Sequence, residues 1–127
     1  SYLKFLVNKH DLNQEVFFHG HLKNPYEIMS NNDLFVLPSK TEGVSRAMLE
    51  ALYLGLYCIV RNIDGNSKVI KNGKNGYLFE ENNQLPSEIL KAEKLKNKSK
   101  TQKYELLPMH SKYDRNIQKY SNLINEV

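Results

Sequence analysis

Two glutamates, Glu42 and Glu50, are the residues whose type and spacing most clearly indicate chemistry in this sequence. They stand around a glycine-containing turn that directly follows residues 33–39, an apolar run that Pro38 ends. The run predicts a short buried strand, and residues 44–54 have the apolar spacing of a helix that Gly55 closes. The two carboxylates therefore bracket a predicted strand-to-helix turn.

A strand-to-helix turn of this kind is a common place for an anion. In a parallel α/β sheet it lies at the carboxyl end of a strand, and the new helix directs free N–H groups and a partial positive charge outward. Glu42 and Glu50 would lie roughly 12 Å apart along the helix axis, at about 1.5 Å per residue, which is of the order of a nucleotide sugar's length. Carboxylates accept hydrogen bonds from vicinal hydroxyls, so one could hold a hexose and the other a ribose, with backbone N–H groups on the diphosphate between them.

The predicted helix over residues 44–54 should turn one apolar stripe toward the sheet, because the members of this stripe recur with the helical period. They are Val44, Ala47, Met48, Ala51 and Leu52. Glu50 falls at the edge of the stripe, so we expect it near the core without being inside it.

The remaining segments alternate between strand and helix, which favours a parallel sheet with helical connections. We predict strands at residues 15–19, 34–37, 57–60 and 76–79, and short helices at residues 2–10, 25–31 and 67–70, with a turn at Gly65 and Asn66. After residue 84, an amphipathic helix is marked by Leu85, Ile89, Leu90 and Ala92. A polar stretch, residues 94–103, and a terminal helix over residues 111–127 follow.

Composition limits the chain to one domain with a modest core, since it has 127 residues. Lys and Arg number 18 against 14 for Asp and Glu, a net charge of +4, and much of the excess lies in residues 91–103. That stretch reads as a solvated helix flank, with attraction to anionic headgroups at an inner membrane leaflet, or to nucleic acid, as the alternatives. A nucleic-acid domain lacks support here, because no recognition-helix motif occurs and aromatic residues are not interleaved with the lysines.

Cysteine and histidine usage excludes two further classes of site. The single Cys58 lies in a predicted buried strand, so we expect a core side chain, no disulfide framework and a reducing cytoplasm. His10, His19 and His110 are too scattered to define a zinc site. No apolar segment is long enough to span a bilayer, and no signal peptide is visible.

Several ordered motifs resemble the retaining glycosyltransferases of family 4. They are VFFHGH at residues 16–21, NDLFVLPS at 32–39, TEGVS at 41–45, MLEAL at 48–52, GLYCIV at 55–60, DGN at 64–66, VI at 69–70 and GKNGYLF at 73–79. The resemblance covers roughly residues 1–90. It implies the GT-B architecture, two Rossmann-like domains facing across a cleft, with this chain corresponding to the last part of the second. The expected fold is thus α/β, a Rossmann-like parallel sheet flanked by helices.

The same resemblance implies a division of the chain. Residues 1–127 would form a single, truncated carboxyl-terminal nucleotide-sugar-binding domain, with a family core at 1–90, a Lys-rich helical connection at 91–110 and a terminal helix at 111–127. In the family, an opening βαβ unit and a basic pair that neutralises the leaving diphosphate lie upstream. We therefore expect a fragment that lacks its amino-terminal domain partner and is inactive alone.

The resemblance also assigns roles to the two glutamates and their neighbours. Glu42 would orient the donor sugar and stabilise the developing cation, as the catalytic group, and Glu50 would bind the ribose hydroxyls. Backbone N–H groups of Gly43, Val44 and Ser45 would hold the diphosphate, and Gly20, His21 and Leu22 would lie under the nucleotide base. The alternatives are a helix-capping carboxylate for Glu42, a solvated or ion-paired Glu50, and a surface histidine at position 21.

The implied reaction transfers a hexose from a UDP- or GDP-linked donor to a hydroxyl of a glycan or lipid-linked acceptor, with retention at the anomeric carbon. The family needs no metal and no other cofactor, and no DxD motif occurs here. We therefore expect a role in bacterial polysaccharide or lipid-linked glycan biosynthesis, although the family also makes other glycosides. The expected location is the cytoplasm, with peripheral contact at the inner face of the membrane as the alternative.

Two positions depart from the family pattern. Tyr57 replaces a frequent proline, a departure that should alter only a loop, and Lys68 replaces an acidic residue. A lysine there could engage phosphate, alter the sugar preference or mark a site without activity. The last case would make the chain a non-catalytic nucleotide-sugar-binding or scaffold module of the same fold.

Overall fold

A three-stranded parallel sheet forms the centre of the protein. The computed structural model describes residues 1–40, 44–98 and 106–108. Strands β1 (Leu34–Leu37), β2 (Tyr57–Arg61) and β3 (Gly76–Phe79) lie in the order β1-β2-β3, with Val36 opposite Ile59 and Ile59 opposite Tyr77. The predicted parallel α/β sheet is confirmed, and all three strands end at the same side, which we call the carboxyl edge.

Five α-helices accompany the sheet in the described ranges. They are α1 (Tyr2–Lys9), α2 (Tyr26–Ser30), α3 (Arg46–Tyr53), α4 (Asp64–Ser67) and α5 (Leu85–Lys98), and a 3₁₀ turn at Asn82–Gln84 precedes α5. The helices expected near residues 2, 25, 44 and 85 are confirmed, with ends that differ by one or two residues where the prediction gave them. The terminal helix predicted for residues 111–127 lies outside the described residues.

Two apolar cores cover the two faces of the sheet. On one face α3 packs Met48, Leu52 and their neighbours against Cys58 and Val60 of β2. On the other, Ala92 of α5 packs against Ile59 and Phe79. All five residues of β2 are therefore buried, as expected for the middle strand of a parallel sheet.

The helix α4 begins earlier than predicted. Residues 64–67 are helical, whereas the sequence suggested a turn at Gly65 and Asn66 and a helix at 67–70. The side chain of Asn66, fully buried, donates from Nδ2 to the backbone carbonyl of Arg61 at 2.9 Å. This bond holds the segment against the end of β2, a tertiary contact that local turn propensity does not encode.

The strand predicted at residues 15–19 is absent. The N–H groups of Glu15 and Val16 both bond to the carbonyl of Leu12 at 3.0 Å, and no described strand pairs with this segment. Phe17 and Phe18 are exposed, at 70% and 46%. An apolar run becomes a strand only where a neighbour accepts its backbone bonds, so the pattern alone was misleading.

The end of α3 follows the prediction in detail. Gly55 has a φ of 88°, its N–H bonds to the carbonyl of Leu52, and the N–H of Leu56 bonds to that of Ala51. These two bonds form a Schellman motif, which requires the left-handed backbone that glycine adopts without strain. The helix therefore stops where the sequence placed its end.

In the described part of the chain, no helix is long and apolar enough to cross a lipid bilayer. Helix α5 is half-buried along one side, but Leu90 is 58% exposed and does not belong to the apolar stripe that the sequence suggested.

Gly76 offers a test of how tightly β3 packs on β2. A Cβ built at this position would lie 1.8 Å from the carbonyl oxygen of Cys58, a backbone atom that cannot move away. We expect Gly76→Ala to lower the free energy of unfolding by at least about 2 kcal/mol. Gly73→Ala is the matched control, since a Cβ there would meet only the Tyr77 hydroxyl, at 3.9 Å. Its φ of 82° is unfavourable for alanine, and this alone should lower the free energy of unfolding by about 1 kcal/mol. Equal losses in urea denaturation would contradict the close approach of the two strands.

Candidate functional site

The candidate site lies where β1 leaves the carboxyl edge and the chain turns into α3. Val44 is half-buried and Ser45 is buried immediately before the helix. Glu42 and Gly43, the predicted sugar-binding carboxylate and a predicted backbone contact to the diphosphate, lie outside the described residues. Their predicted roles are therefore untested by the fold.

Ser45 begins α3 as its N-cap. Its Oγ accepts a hydrogen bond from the N–H of Met48 at 3.2 Å, and its carbonyl accepts one from Leu49 at 3.2 Å. The sequence indicated only the Ser45 backbone, as a diphosphate contact, and this function of the side chain was missed. The cap satisfies one amide of the first turn, and the start of the helix keeps the partial positive charge that favours an anion.

Glu50 lies deeper than predicted. Its side chain is 7% exposed, and Oε1 accepts a hydrogen bond from the Tyr26 hydroxyl at 3.1 Å and lies 3.6 Å from Nε of Arg46. The expected position at the edge of the core was therefore wrong, because the Tyr26 side chain packs into the core that α3 forms there. A buried carboxylate needs partners, and Tyr26 and Arg46 supply them.

The apolar stripe of α3 differs from the prediction in the same way. Ala47 is exposed, whereas Met48, Leu49, Ala51 and Leu52 are all buried. The helix is thus covered over more of its circumference than a single stripe, which is how Glu50 comes to be enclosed.

The two oxygens of Glu50 are in different surroundings. Oε1 has Tyr26 and Arg46 as neighbours, whereas Oε2 has no hydrogen-bond partner among the residues that the structure describes. Within the same ranges, Oδ1 of Asn66 is the one side-chain N or O atom that is both fully buried and unbonded. Oε2 of Glu50 therefore retains contact with solvent and can accept a hydrogen bond from a ligand.

Burial sets the protonation behaviour of Glu50. Loss of solvent raises the pKa of its carboxyl above the ordinary value of 4.5, and the hydrogen bond from Tyr26 and the charge of Arg46 lower it again in part. The group therefore ionises at a higher pH than a surface glutamate.

The loop predicted to lie under a nucleotide base leads directly to Tyr26. Gly20 has a φ of 67°, His21 is exposed and Leu22 is half-buried. Oδ1 of Asn24 then accepts from the N–H of Tyr26 at 3.1 Å, which starts α2. No hydrogen bond or ion pair joins His21 to Glu50, both of which the structure describes. The loop precedes Tyr26 in the chain, and Tyr26 in turn bonds to Glu50.

The carboxyl edge also contains a residue that the sequence analysis missed. Arg61, at the end of β2, is buried, and its Nε donates to the carbonyl of Pro38 at 3.1 Å while Nη1 donates to the carbonyl of Glu80 at 2.6 Å. Nη2 donates to Oδ1 of Asn82, and the guanidinium lies 4.9 Å from the ring centre of Phe79. One side chain thus ties together the ends of all three strands. In the sequence, an arginine directly after the predicted buried strand at 57–60 could have indicated a polar residue with this function.

The two departures from the family pattern lie in different environments. Tyr57 is the first residue of β2, as the predicted strand at 57–60 requires, and is 3% exposed. The expectation that its exchange for proline alters only a loop was therefore wrong. Lys68 is exposed at the end of α4.

Cys58 behaves as a core residue. It is fully buried, its Sγ donates weakly to the carbonyl of Met48 at 3.8 Å, and burial raises the pKa of its thiol. In the ranges 1–40, 44–98 and 106–108, no three histidine, cysteine, aspartate or glutamate side chains are grouped so that they could hold a metal ion.

Comparison with protein families gives a match over most of the chain. The family described as "Glycosyl transferases group 1" matches residues 1–105. This range contains the complete sheet, α3 and the Gly20 loop.

Curated relatives agree with this match. The chain is 51% identical over 55 residues to "UDP-Gal:alpha-D-GlcNAc-diphosphoundecaprenol alpha-1,3-galactosyltransferase" of Escherichia coli, an alignment that covers 43% of this chain and 14% of the relative. It is 35% identical over 78 residues to "N-acetyl-alpha-D-glucosaminyl L-malate synthase" of Bacillus anthracis, covering 61% and 20%. It is 34% identical over 68 residues to "Capsular polysaccharide biosynthesis glycosyltransferase CapH" of Staphylococcus aureus, covering 52% and 19%. The chain thus spans no more than a fifth of the length of these relatives.

The burial of Glu50 predicts a pH-dependent stability. Because its pKa is raised in the folded state, the native protein binds this proton more tightly than the unfolded chain does, so stability falls as pH rises from about 4.5 through the raised pKa. In Glu50→Gln this part of the slope should disappear, since glutamine carries no charge and still accepts from Tyr26. Urea denaturation from about pH 4 to about pH 8 measures it. The exposed Glu27→Gln is the control, and an unchanged slope in Glu50→Gln would contradict the assignment.

The contacts of Arg61 predict that its substitution strongly lowers the free energy of unfolding. Arg61→Met leaves the carbonyls of Pro38 and Glu80 without their donor, which should cost about 3 kcal/mol. Lys68→Met removes the same charge from an exposed position and should change stability by less than about 0.5 kcal/mol. Similar small effects of both substitutions on the urea midpoint would show that Arg61 does not hold the strand ends.

Proposed function

Since the chain belongs to the group 1 glycosyl transferases, we propose that it forms the donor-binding part of a retaining hexosyltransferase that uses a nucleotide diphosphate sugar. The match over residues 1–105 carries this proposal, because it includes the turn into α3 together with Glu50. The sugar would pass to a hydroxyl of a glycan or lipid-linked acceptor, with retention at the anomeric carbon. As part of a longer enzyme, the chain would act with an amino-terminal domain that supplies the acceptor side.

The nucleoside end of the donor is assigned to Glu50 and the loop at Gly20, His21 and Leu22. Oε2 of Glu50 would accept a hydrogen bond from a ribose hydroxyl, since an ionised carboxylate is a strong acceptor. What supports this is its solvent contact within an otherwise buried side chain. The Gly20 loop, four to six residues before Tyr26 in the chain, would face the base.

The diphosphate and sugar end is assigned to the turn before α3. Backbone N–H groups at Gly43, Val44 and Ser45, together with the positive end of the α3 dipole, would bind the diphosphate. Glu42 would orient the sugar and stabilise positive charge that develops as the diphosphate leaves. These groups would perform the charge stabilisation without a metal ion, and a basic pair elsewhere in the full enzyme would complete it.

The pathway proposed is bacterial surface polysaccharide or lipid-linked glycan assembly, at the cytoplasmic face of the membrane. Its support comes from the relatives, whose names include a diphosphoundecaprenol-linked acceptor and capsular polysaccharide biosynthesis. UDP- and GDP-linked hexoses are the donors we expect.

A donor panel tests the proposal. The intact protein is mixed with UDP- and GDP-linked hexoses, with EDTA present, and the shift in melting temperature and the transfer to lipid-linked acceptors are measured. At least one donor should stabilise the protein and be consumed, and the anomeric configuration of the product, read by nuclear magnetic resonance, should equal that of the donor. Glu50→Ala should weaken every donor of the same nucleotide by about tenfold, the loss of one charged hydrogen bond, whereas Glu42→Ala should weaken some hexoses more than others.

Two results would contradict these roles. Failure of every nucleotide sugar to bind or react would remove the transferase function and leave the scaffold alternative. Equal losses in both variants for a bare nucleoside diphosphate would overturn the division between a ribose end and a sugar end. Glu27→Ala, at an exposed position of α2, is the control for removing a carboxylate.

A further inference from the structure

The hydroxyl of Tyr26 is the group in α2 that contacts a proposed ligand-binding residue. It donates to Oε1 of Glu50 at 3.1 Å, across 24 positions of sequence, and both side chains are buried. The bond uses one carboxylate oxygen and leaves Oε2 with solvent contact.

We propose that Tyr26 is a positioning residue, whose hydroxyl fixes the carboxylate of Glu50 so that Oε2 faces the ribose of the donor. This inference rests on the proposed function, in which Glu50 binds ribose. It adds a residue that no sequence motif indicated, and it implies that α2 positions a ligand-binding side chain.

Fixing Glu50 matters because its side chain has three rotatable bonds. A glutamate that must lose this freedom on binding ligand gives up part of the interaction energy, about 0.5–1.5 kcal/mol for a long side chain. A bond that forms before the ligand arrives removes that cost. Tyr26 suits the task, since its ring is rigid beyond two torsions, is 9% exposed and is part of the core formed with α3.

Arg46 is a weaker candidate for the same task. Its Nε lies 3.6 Å from Oε1, outside the range of a good hydrogen bond, and its side chain is 66% exposed. An exposed ion pair of this kind contributes little to orientation. Arg46 and Tyr26 are nevertheless the charged and titratable groups that act on Glu50 within the described ranges, so both enter the expected pH behaviour.

The position of Tyr26 in the chain connects the two parts of the nucleoside end. Four residues separate it from His21, and the Asn24 side chain fixes the start of α2 between them. A ligand whose base lies at the Gly20 loop would thus meet a carboxylate whose direction is set by the next helix. The inference therefore concerns the nucleoside, and the sugar should not affect it.

The test compares four variants of the intact protein, three single and one double, by calorimetric titration with UDP, GDP and their 2′,3′-dideoxy counterparts. Tyr26→Phe removes only the hydroxyl and should weaken the preferred nucleotide roughly fivefold to tenfold, with little change for the dideoxy form. Tyr77→Phe is the matched control, since Tyr77 packs on the α5 face of the sheet. In Glu50→Gln, the further change Tyr26→Phe should cost much less, because the pair acts as a unit.

A pH series separates positioning from a purely structural effect. Affinity should fall on acidification through the raised pKa of Glu50, because a protonated carboxyl loses its charge. Tyr26→Phe deletes a bond that lowers this pKa, so the acid limb should move to higher pH, whereas Glu50→Gln should retain only the titration of the nucleotide itself.

The outcomes are distinguishable. If the unaltered protein binds none of these nucleotides, the proposed function fails and the inference with it. If it binds one of them, and Tyr26→Phe changes neither the affinity nor the acid limb, the positioning role is overturned while ribose binding by Glu50 stands. An equal affinity loss for the dideoxy nucleotide would also overturn it, because the effect would not pass through the ribose hydroxyls.

Discussion

The complete burial of β2 is the constraint on which the other features depend. Its five residues are covered by α3 on one face and α5 on the other, and its edges are occupied by β1 and β3. Both neighbours pair with β2 in parallel, so the carboxyl ends of the three strands meet at one edge of the sheet. The close approach of Gly76 to the Cys58 carbonyl shows how little tolerance remains in this arrangement.

Polar side chains at the carboxyl edge stabilise the strand ends that the apolar core brings together. Arg61 ends the buried strand and binds backbone carbonyls beyond β1 and β3, so the point where the chain enters the candidate site is held by the core strand itself. Glu50, enclosed where the Tyr26 side chain joins the core formed by α3, is accommodated because Tyr26 donates to one of its oxygens. Burial that is otherwise unfavourable for a carboxylate thus produces a fixed acceptor with a raised pKa.

Sequence reasoning succeeded where local chemistry decides the structure. The three paired strands, the Schellman end of α3 at Gly55 and the buried Cys58 follow from apolar runs and glycine positions, which act within a few residues.

Sequence reasoning failed where distant contacts decide the structure. Residues 15–19 have the composition of a strand but no neighbour to pair with, and the start of α4 depends on the bond between Asn66 and Arg61. The burial of Glu50 depends on Tyr26, which is 24 positions away. The exposed and core faces of α3 could not be assigned correctly without knowing that the Tyr26 side chain packs into the core beside it.

The most direct test of the account is a crystal structure of the intact protein with bound UDP or GDP. The account predicts a ribose hydroxyl within about 3 Å of Oε2 of Glu50, with Oε1 still bonded to the Tyr26 hydroxyl and the diphosphate at the start of α3. A nucleotide bound at another edge of the sheet, or a ribose held without Glu50, would contradict it.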